Sequence, residues 1–155
     1  MKTVKQFLII LGTVFILVFY IFIKLDKQLS DVNFVSCVDG DTAIFEIDGK
    51  EEYVRFLAID TLEIDQSFGI EVSNYVCKTL NQASKITLEY EEDSYKDKYN
   101  RVLAWVYVDD GLIQEDLVRK GYAQVKYIYG NYKYVDRLLD LQEKAKQEKA
   151  GLWGE

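Results

Sequence analysis

The stretch VRFLAIDTLEID, Val54 to Asp65, places a fixed positive charge inside an apolar run and then delivers two carboxylates, Asp60 and Glu63, near the run's end. A run of this length, rich in branched and aromatic residues, predicts a strand, and alternation of faces puts Arg55 on the side of Tyr53, Leu57 and Ile59. Read that way, the arginine is buried. A buried guanidinium without an anion costs several kcal/mol, so the fold must bring an acid to it or leave room for a ligand such as a phosphate. Both readings stay open on this stretch alone: a structural ion pair with an acid from another strand, or a phosphate-handling site.

Strand-like runs flank it. NFVSCV (33–38) and TAIFEI (42–47) precede it, and the Asp48-Gly49 pair ahead of EEYVRFLAI (51–59) is a tight hairpin signal. Gly69 to Gln82 then carries Val72, Val76, Leu80 and Ala83 at helical spacing, with Ser67 as its cap. KITLEY (85–90) and RVLAWVYV (101–108) are further strands, separated by the charged loop EEDSYKDKYN. Leu112 to Lys120 reads as a helix with Gly121 at its C-terminal cap, and Tyr132 to Ala150 as a helix ended by Gly151, with Val135, Leu138, Leu139, Gln142 and Ala145 along one side. Trp105 and Trp153 read as core. Five strands with one helix after the third and two at the end predict an α+β fold, a five-stranded OB-type β-barrel with three helices.

The barrel does not include the N-terminus. Phe7 to Ile23, FLIILGTVFILVFYIFI, is 17 residues without a charge. As a helix it would be roughly 25 Å long, slightly short of a hydrocarbon core of about 30 Å, a mismatch that flanking lysines absorb by snorkelling. Residues 1–27 are therefore expected to be a membrane anchor that enters the bilayer through residues 7–23, with 28–32 a linker and 33–155 the folded domain. No small-x-small cleavage pattern follows Ile23, which favours an uncleaved anchor with the domain facing outside the cell; cleavage would make the domain secreted.

Composition narrows the chemistry. The chain has a net charge of −7, and residues 28–155 alone carry 15 basic and 25 acidic residues, a net −10. Such a domain repels polyanions at long range and is a poor candidate for a tight, sequence-reading nucleic-acid binder. The absence of histidine excludes Ser-His-Asp triads and imidazole metal sites, leaving carboxylates, arginines, lysines and tyrosines to do any catalysis. Cys37 and Cys77 are the only thiols, and a disulfide or two buried free thiols are both compatible with their spacing.

The polar residues that interrupt apolar patterns outline a site: Asp39 and Asp41 in VDGDT, Arg55, Asp60 and Glu63 in the opening stretch, and Asp97, Lys98, Tyr99 and Arg101 in DKYNRVLAWVYVD. Two carboxylates at strand ends with a backbone carbonyl are the hard oxygen ligands that Ca²⁺ or Mg²⁺ prefers. Two arginines hold a phosphodiester in bidentate fashion, and a third carboxylate orients or deprotonates a water. That inventory suffices for metal-assisted phosphodiester hydrolysis without histidine. Asp39, so close to Asp41, reads as a turn former rather than a direct ligand.

VDGDT (38–42), VRFLAIDTLE (54–63), DKYNRVLAWVYVD (97–109) and LVRKGYAQVKYIY (117–129), in this order, resemble the staphylococcal nuclease family over about residues 33 to 153, including the closing GLW. The resemblance implies an OB-fold barrel that hydrolyses DNA and RNA with Ca²⁺ as cofactor and leaves 3′-phosphates; a monomer without a protein partner is expected. It assigns Asp41 and Asp60 as calcium carboxylates and Thr61 as a backbone carbonyl ligand. Arg55 and Arg101 become the phosphate-binding arginines and Glu63 the carboxylate that positions or activates water. Lys98, Tyr99 and Tyr127 would hold a terminal phosphate of the bound nucleotide, and Tyr129 would lie near a base. Three departures stand out. Leu62 replaces the proline of the family's D-T-P-E, Asn100 replaces the glycine of D-K-Y-G-R, and no lysine lies between Glu63 and Gly69. They leave a noncatalytic OB-fold module, binding nucleic acid or protein at the membrane, as the alternative.

Overall fold

Asp48 and Gly49, both with left-handed backbone (φ 51° and 75°), turn strand β2 (Thr42–Ile47) into strand β3 (Lys50–Phe56). Positive φ at both central positions is the type I′ geometry, whose twist matches that of the strands it joins. The register that follows sets Thr42 opposite Arg55 and so brings Asp41, the residue just before β2, beside the arginine. The computed structural model describes residues 2–26, 29–62, 68–91 and 95–154; in the N-terminal helix, the described side chains are those of 6 and 8–21.

Strand β1 (Leu29–Cys37) pairs antiparallel with β2 through its second half and with β5 (Ile86–Glu89) through its first, and its register shifts between Phe34 and Ser36. An irregularity of this kind bends a strand so that one element can serve two ladders. β5 pairs antiparallel with β6 (Val102–Val108), and β6 runs parallel to β3, Val54 facing Val102 and Phe56 facing Ala104. That last pairing closes a five-stranded OB-like barrel. Trp105, Phe45, Phe56, Val54 and Leu88 fill it, each at most 1% exposed. A two-residue strand β7 (Gly111–Leu112) turns back to pair antiparallel with the end of β6, and a second small sheet pairs β4 (Ile59–Thr61) with β8 (Ala123–Val125).

The face assignment of β3 needs correction. The face that enters the core is that of Val54 and Phe56, while Tyr53 on the opposite face is 52% exposed. The strand ends at Phe56 because Leu57 and Ala58 turn, Ala58 taking a left-handed backbone (φ 58°), and Ile59 starts the separate strand β4. Arg55 is nevertheless buried, at 8% exposure, by what covers the outer face rather than by the core.

Three helices complete the domain: α2 (Gly69–Gln82), α3 (Ile113–Arg119) and α4 (Val135–Gln147). α2 turns Val72, Val76 and Leu80 inward as its periodicity predicts. Its N-cap position is Phe68, whereas the expected cap Ser67 lies outside the described residues. Cys77 of α2 is disulfide-bonded to Cys37 at the end of β1, which settles the thiol question and ties the helix to the barrel. Gly121, just past α3, and Gly151, past α4, meet back to back with positive φ; a Cβ on Gly121 would lie 2.1 Å from the Ala150 carbonyl oxygen. Trp153, in the short 3₁₀ turn Gly151–Trp153, is half-buried rather than core. The segment between β8 and α4 is pinned by buried Glu89, whose carboxylate accepts from the Tyr134 hydroxyl (2.7 Å) and pairs with the Lys133 ammonium (2.6 Å).

The N-terminal residues form helix α1 (Lys2–Asp26), whose described apolar side chains are exposed, Phe15 to 72%. Among the described residues, no helix is long and apolar enough to cross a membrane; residues 7, 22 and 23 of the expected span lie outside those whose side chains are described.

Candidate active site

Asp41 occupies the loop between β1 and β2, its backbone N–H donating to Asp39 Oδ1 (2.9 Å), so Asp39 does act as a turn former. The Asp41 carboxylate is 6% exposed and fully engaged. Oδ2 accepts from the Thr61 backbone N–H (2.9 Å) and the Thr61 hydroxyl (3.1 Å); Oδ1 accepts from the Thr42 hydroxyl (3.2 Å) and pairs with Arg55 Nη1 (3.0 Å). Burial outweighs the attraction of Arg55, and with Asp39 adding repulsion the Asp41 carboxyl is pushed up to about 6.

Arg55 reaches both proposed metal carboxylates. Besides pairing with Asp41, Nη1 donates to the Phe56 carbonyl (3.1 Å), and Nη2 lies 3.6 Å from Asp60 Oδ1. The two acids come from the lead-in to β2 and from β4, so the ion pair of Arg55 is made with the same acids that the resemblance assigns to a metal. Asp60 is held from its other side by β8: Oδ2 accepts from Lys126 Nζ (2.8 Å) and Gln124 Nε2 (3.2 Å). The sequence reading did not single out Lys126 or Gln124. The register signal exists in hindsight, because Gln124 is the ladder partner of Asp60 and residue 126 follows on the same face.

On the far wall, Asp97 organises the loop that carries Arg101. Asp97 Oδ1 accepts from the backbone N–H groups of Tyr99 and Arg101, both at 2.9 Å, and Oδ2 accepts from Arg101 Nε at 2.8 Å. Burial pushes the Asp97 carboxyl up, but these hydrogen bonds and the Arg101 charge together hold it below the ordinary range. Asn100 takes a left-handed backbone (φ 66°), the conformation for which asparagine is the best substitute for glycine. Lys98 Nζ lies 4.9 Å from the Tyr99 ring centre, and the Arg101 guanidinium 5.6 Å.

These walls enclose a cleft of about 690 Å³. Arg55, Asp60, Lys98, Tyr99, Arg101, Tyr127 and Tyr129 all line it, and Asp41 and Thr61 adjoin it beneath Arg55 and Asp60. Glu63 lies outside the described residues. Tyr99, Tyr127 and Tyr129 are 68%, 46% and 79% exposed, which is not packing, whereas Tyr132 is buried and Tyr134 packs edge-on against Trp105. Tyr127 and Tyr129 stack with centroids 6.4 Å apart, and the Arg55 guanidinium lies 5.7 Å from the Tyr127 centre.

The donor set suits a hard divalent cation: two carboxylates, one of them buried, converge on the Arg55 guanidinium. Among the described residues, no group of three or more acidic or thiol side chains is gathered for a metal, so such an ion would rely on Asp41, Asp60 and main-chain or water oxygens.

Residues 53–155 match the model of a family described as staphylococcal nuclease homologue. The SPbeta prophage-derived endonuclease YokF of Bacillus subtilis (strain 168) is 39% identical over 134 residues, which cover 82% of this chain and 45% of that protein. The endonuclease YncB of the same organism is 36% identical over 137 residues, 84% of this chain and 64% of that protein. A thermonuclease of Staphylococcus hyicus is 34% identical over 125 residues, 77% of this chain and 73% of that protein. The chain thus spans about half to two-thirds of the length of the two Bacillus relatives.

Proposed function

Since the chain belongs to the staphylococcal nuclease family, we propose that it is a Ca²⁺-dependent nuclease that hydrolyses phosphodiester bonds of DNA and RNA with little sequence preference. The observation that carries this reading is the convergence of Arg55, Arg101 and Asp60 on one cleft, with Asp41 beneath. Arg55 and Arg101 grip the phosphate from opposite walls and stabilise the charge that grows on its oxygens in the transition state. Nη2 of Arg55, only loosely engaged at 3.6 Å from Asp60, is the edge that turns toward the phosphate. Asp41, Asp60 and the Thr61 carbonyl hold Ca²⁺, which supplies Lewis-acid neutralisation of the phosphate when bound. Glu63 takes the proton from the water whose oxygen bonds to phosphorus, the bond from phosphorus to the 5′ oxygen breaks, and that oxygen takes a proton from solvent to leave as a 5′-hydroxyl beside the 3′-phosphate. Lys98, Tyr99 and Tyr127 hold a neighbouring phosphate, and the exposed ring of Tyr129 meets a base.

The chain acts as a monomer, tethered by α1 to the cell membrane with the nuclease domain outside. The exposed apolar side chains of α1 support the tether, and the Cys37–Cys77 disulfide supports an oxidising compartment.

The test is digestion of end-labelled DNA and RNA oligonucleotides by the full chain in detergent, with the termini of the products identified. Fragments ending in 3′-phosphate are expected. Oligonucleotides bound but left intact would favour the noncatalytic module instead.

A further inference from the structure

The two acids at the proposed metal position are already engaged by side-chain cations. Asp41 Oδ1 pairs with Arg55 at 3.0 Å, and Asp60 has a cation at each oxygen: Arg55 Nη2 at 3.6 Å from Oδ1 and Lys126 Nζ at 2.8 Å from Oδ2. Two carboxylates face two side-chain cations, so the cluster is balanced as it stands. A divalent ion entering it adds two positive charges, and one resident must give way. The two residents differ. Arg55 is 10% exposed at its side chain and fixed by the Phe56 carbonyl, whereas Lys126 is 46% exposed at its side chain on a flexible four-carbon stem. The base of that stem is nonetheless fixed, since the Lys126 N–H donates to the Ala58 carbonyl at 3.0 Å, and β8 sets Gln124 opposite Asp60.

We propose that Lys126 is a resident cation of the metal position: its ammonium occupies the Asp60 oxygen that a divalent ion needs, and metal binding displaces it. Lys126 thereby sets the metal concentration at which the site fills. In its paired position the ammonium already lies 5.0 Å from the centre of the Tyr127 ring, which remains within its reach on release. The inference rests on the metal reading given under Proposed function.

Calorimetric titration of the full chain in detergent with CaCl₂, without nucleic acid, tests it. Lys126→Gln is expected to tighten Ca²⁺ binding by about three- to fivefold, the factor that a half-exposed ion pair is worth. Lys126→Arg, which keeps charge and pairing, should leave the affinity at or below the parental value. Lys85→Gln, which removes a lysine paired with Asp31 elsewhere on the surface, should not change it. Ca²⁺ binding to Lys126→Gln with parental or weaker affinity would overturn the displacement, and so would equal tightening in Lys85→Gln, which would reduce the effect to net charge. Absence of binding by the parental chain and every variant would overturn the metal reading and this inference together.

Discussion

Arg55 lies 3.0 Å from one buried acid and 3.6 Å from a second carboxylate, so its loss would remove a proposed phosphate ligand and also leave Asp41 without its cation. Arg101, 30% exposed at its side chain, is paired with Asp97 inside one loop and supports no buried acid. The two arginines should therefore separate in their effects. Arg55→Ala is expected to lower kcat/KM by orders of magnitude and also to destabilise the fold by about 3 kcal/mol, as breaking a buried pair does. Arg101→Ala should lower the rate comparably at a cost of about 1 kcal/mol or less. Steady-state kinetics with urea unfolding of each variant would check this; equal stability losses would contradict it. Asp97 carries a pH signature. Its folded pKa is depressed from the ordinary 3.8, so the stability it contributes is complete above that value and is lost as pH falls through the folded one. The unfolding free-energy gap between the parental chain and Asp97→Asn should stay constant from pH 7 to about pH 5 and narrow below pH 3.8. A gap unchanged at pH 3 would contradict the assignment.

At the scale of elements, periodicity and turn chemistry were legible where they agree with the backbone. The Asp48-Gly49 hairpin and both ends of α2 lie where the residues put them, because an Asp-Gly pair and a helical apolar stripe have few alternatives. The end of β3 was not legible. An alanine at a left-handed position gives no sign of a turn, so the run reads as one strand to Ile59 and the face shared by Tyr53 and Arg55 reads as core. The β4–β8 ladder was equally hidden, being two three-residue strands far apart in sequence, and it is what brings Gln124 and Lys126 to Asp60. The junction of α3 and α4 gives a prediction here. Gly121→Ala combines a left-handed φ with a Cβ 2.1 Å from a backbone oxygen, and is expected to cost at least about 2 kcal/mol. Gly49→Ala meets open space and should cost about 1 kcal/mol, from its backbone conformation alone. Urea midpoints compare the two, and a smaller loss at Gly121 would contradict the packing described.

At the scale of the whole molecule, a net charge of −7 coexists with a cleft lined by Arg55, Lys98 and Arg101. The overall field repels a polyanion, and the proposed hydrolysis asks these cations to hold one phosphate group at a time rather than to retain a long strand. Composition revealed that tension, and motif order revealed the family. Neither could show that Arg55 bridges both acids or that Asp60 already has a lysine partner, since those facts depend on how strands far apart in sequence align. The central claim is metal-dependent hydrolysis in this cleft. Its most direct test is the turnover of single-stranded DNA by the full chain in detergent, measured in parallel with Ca²⁺ and with a chelator, for the parental protein and for Arg101→Ala. The account predicts rapid cleavage by the parental protein in Ca²⁺ alone, abolished by chelation and reduced by orders of magnitude in Arg101→Ala. Cleavage that persists in chelator, or at the parental rate in Arg101→Ala, would contradict it.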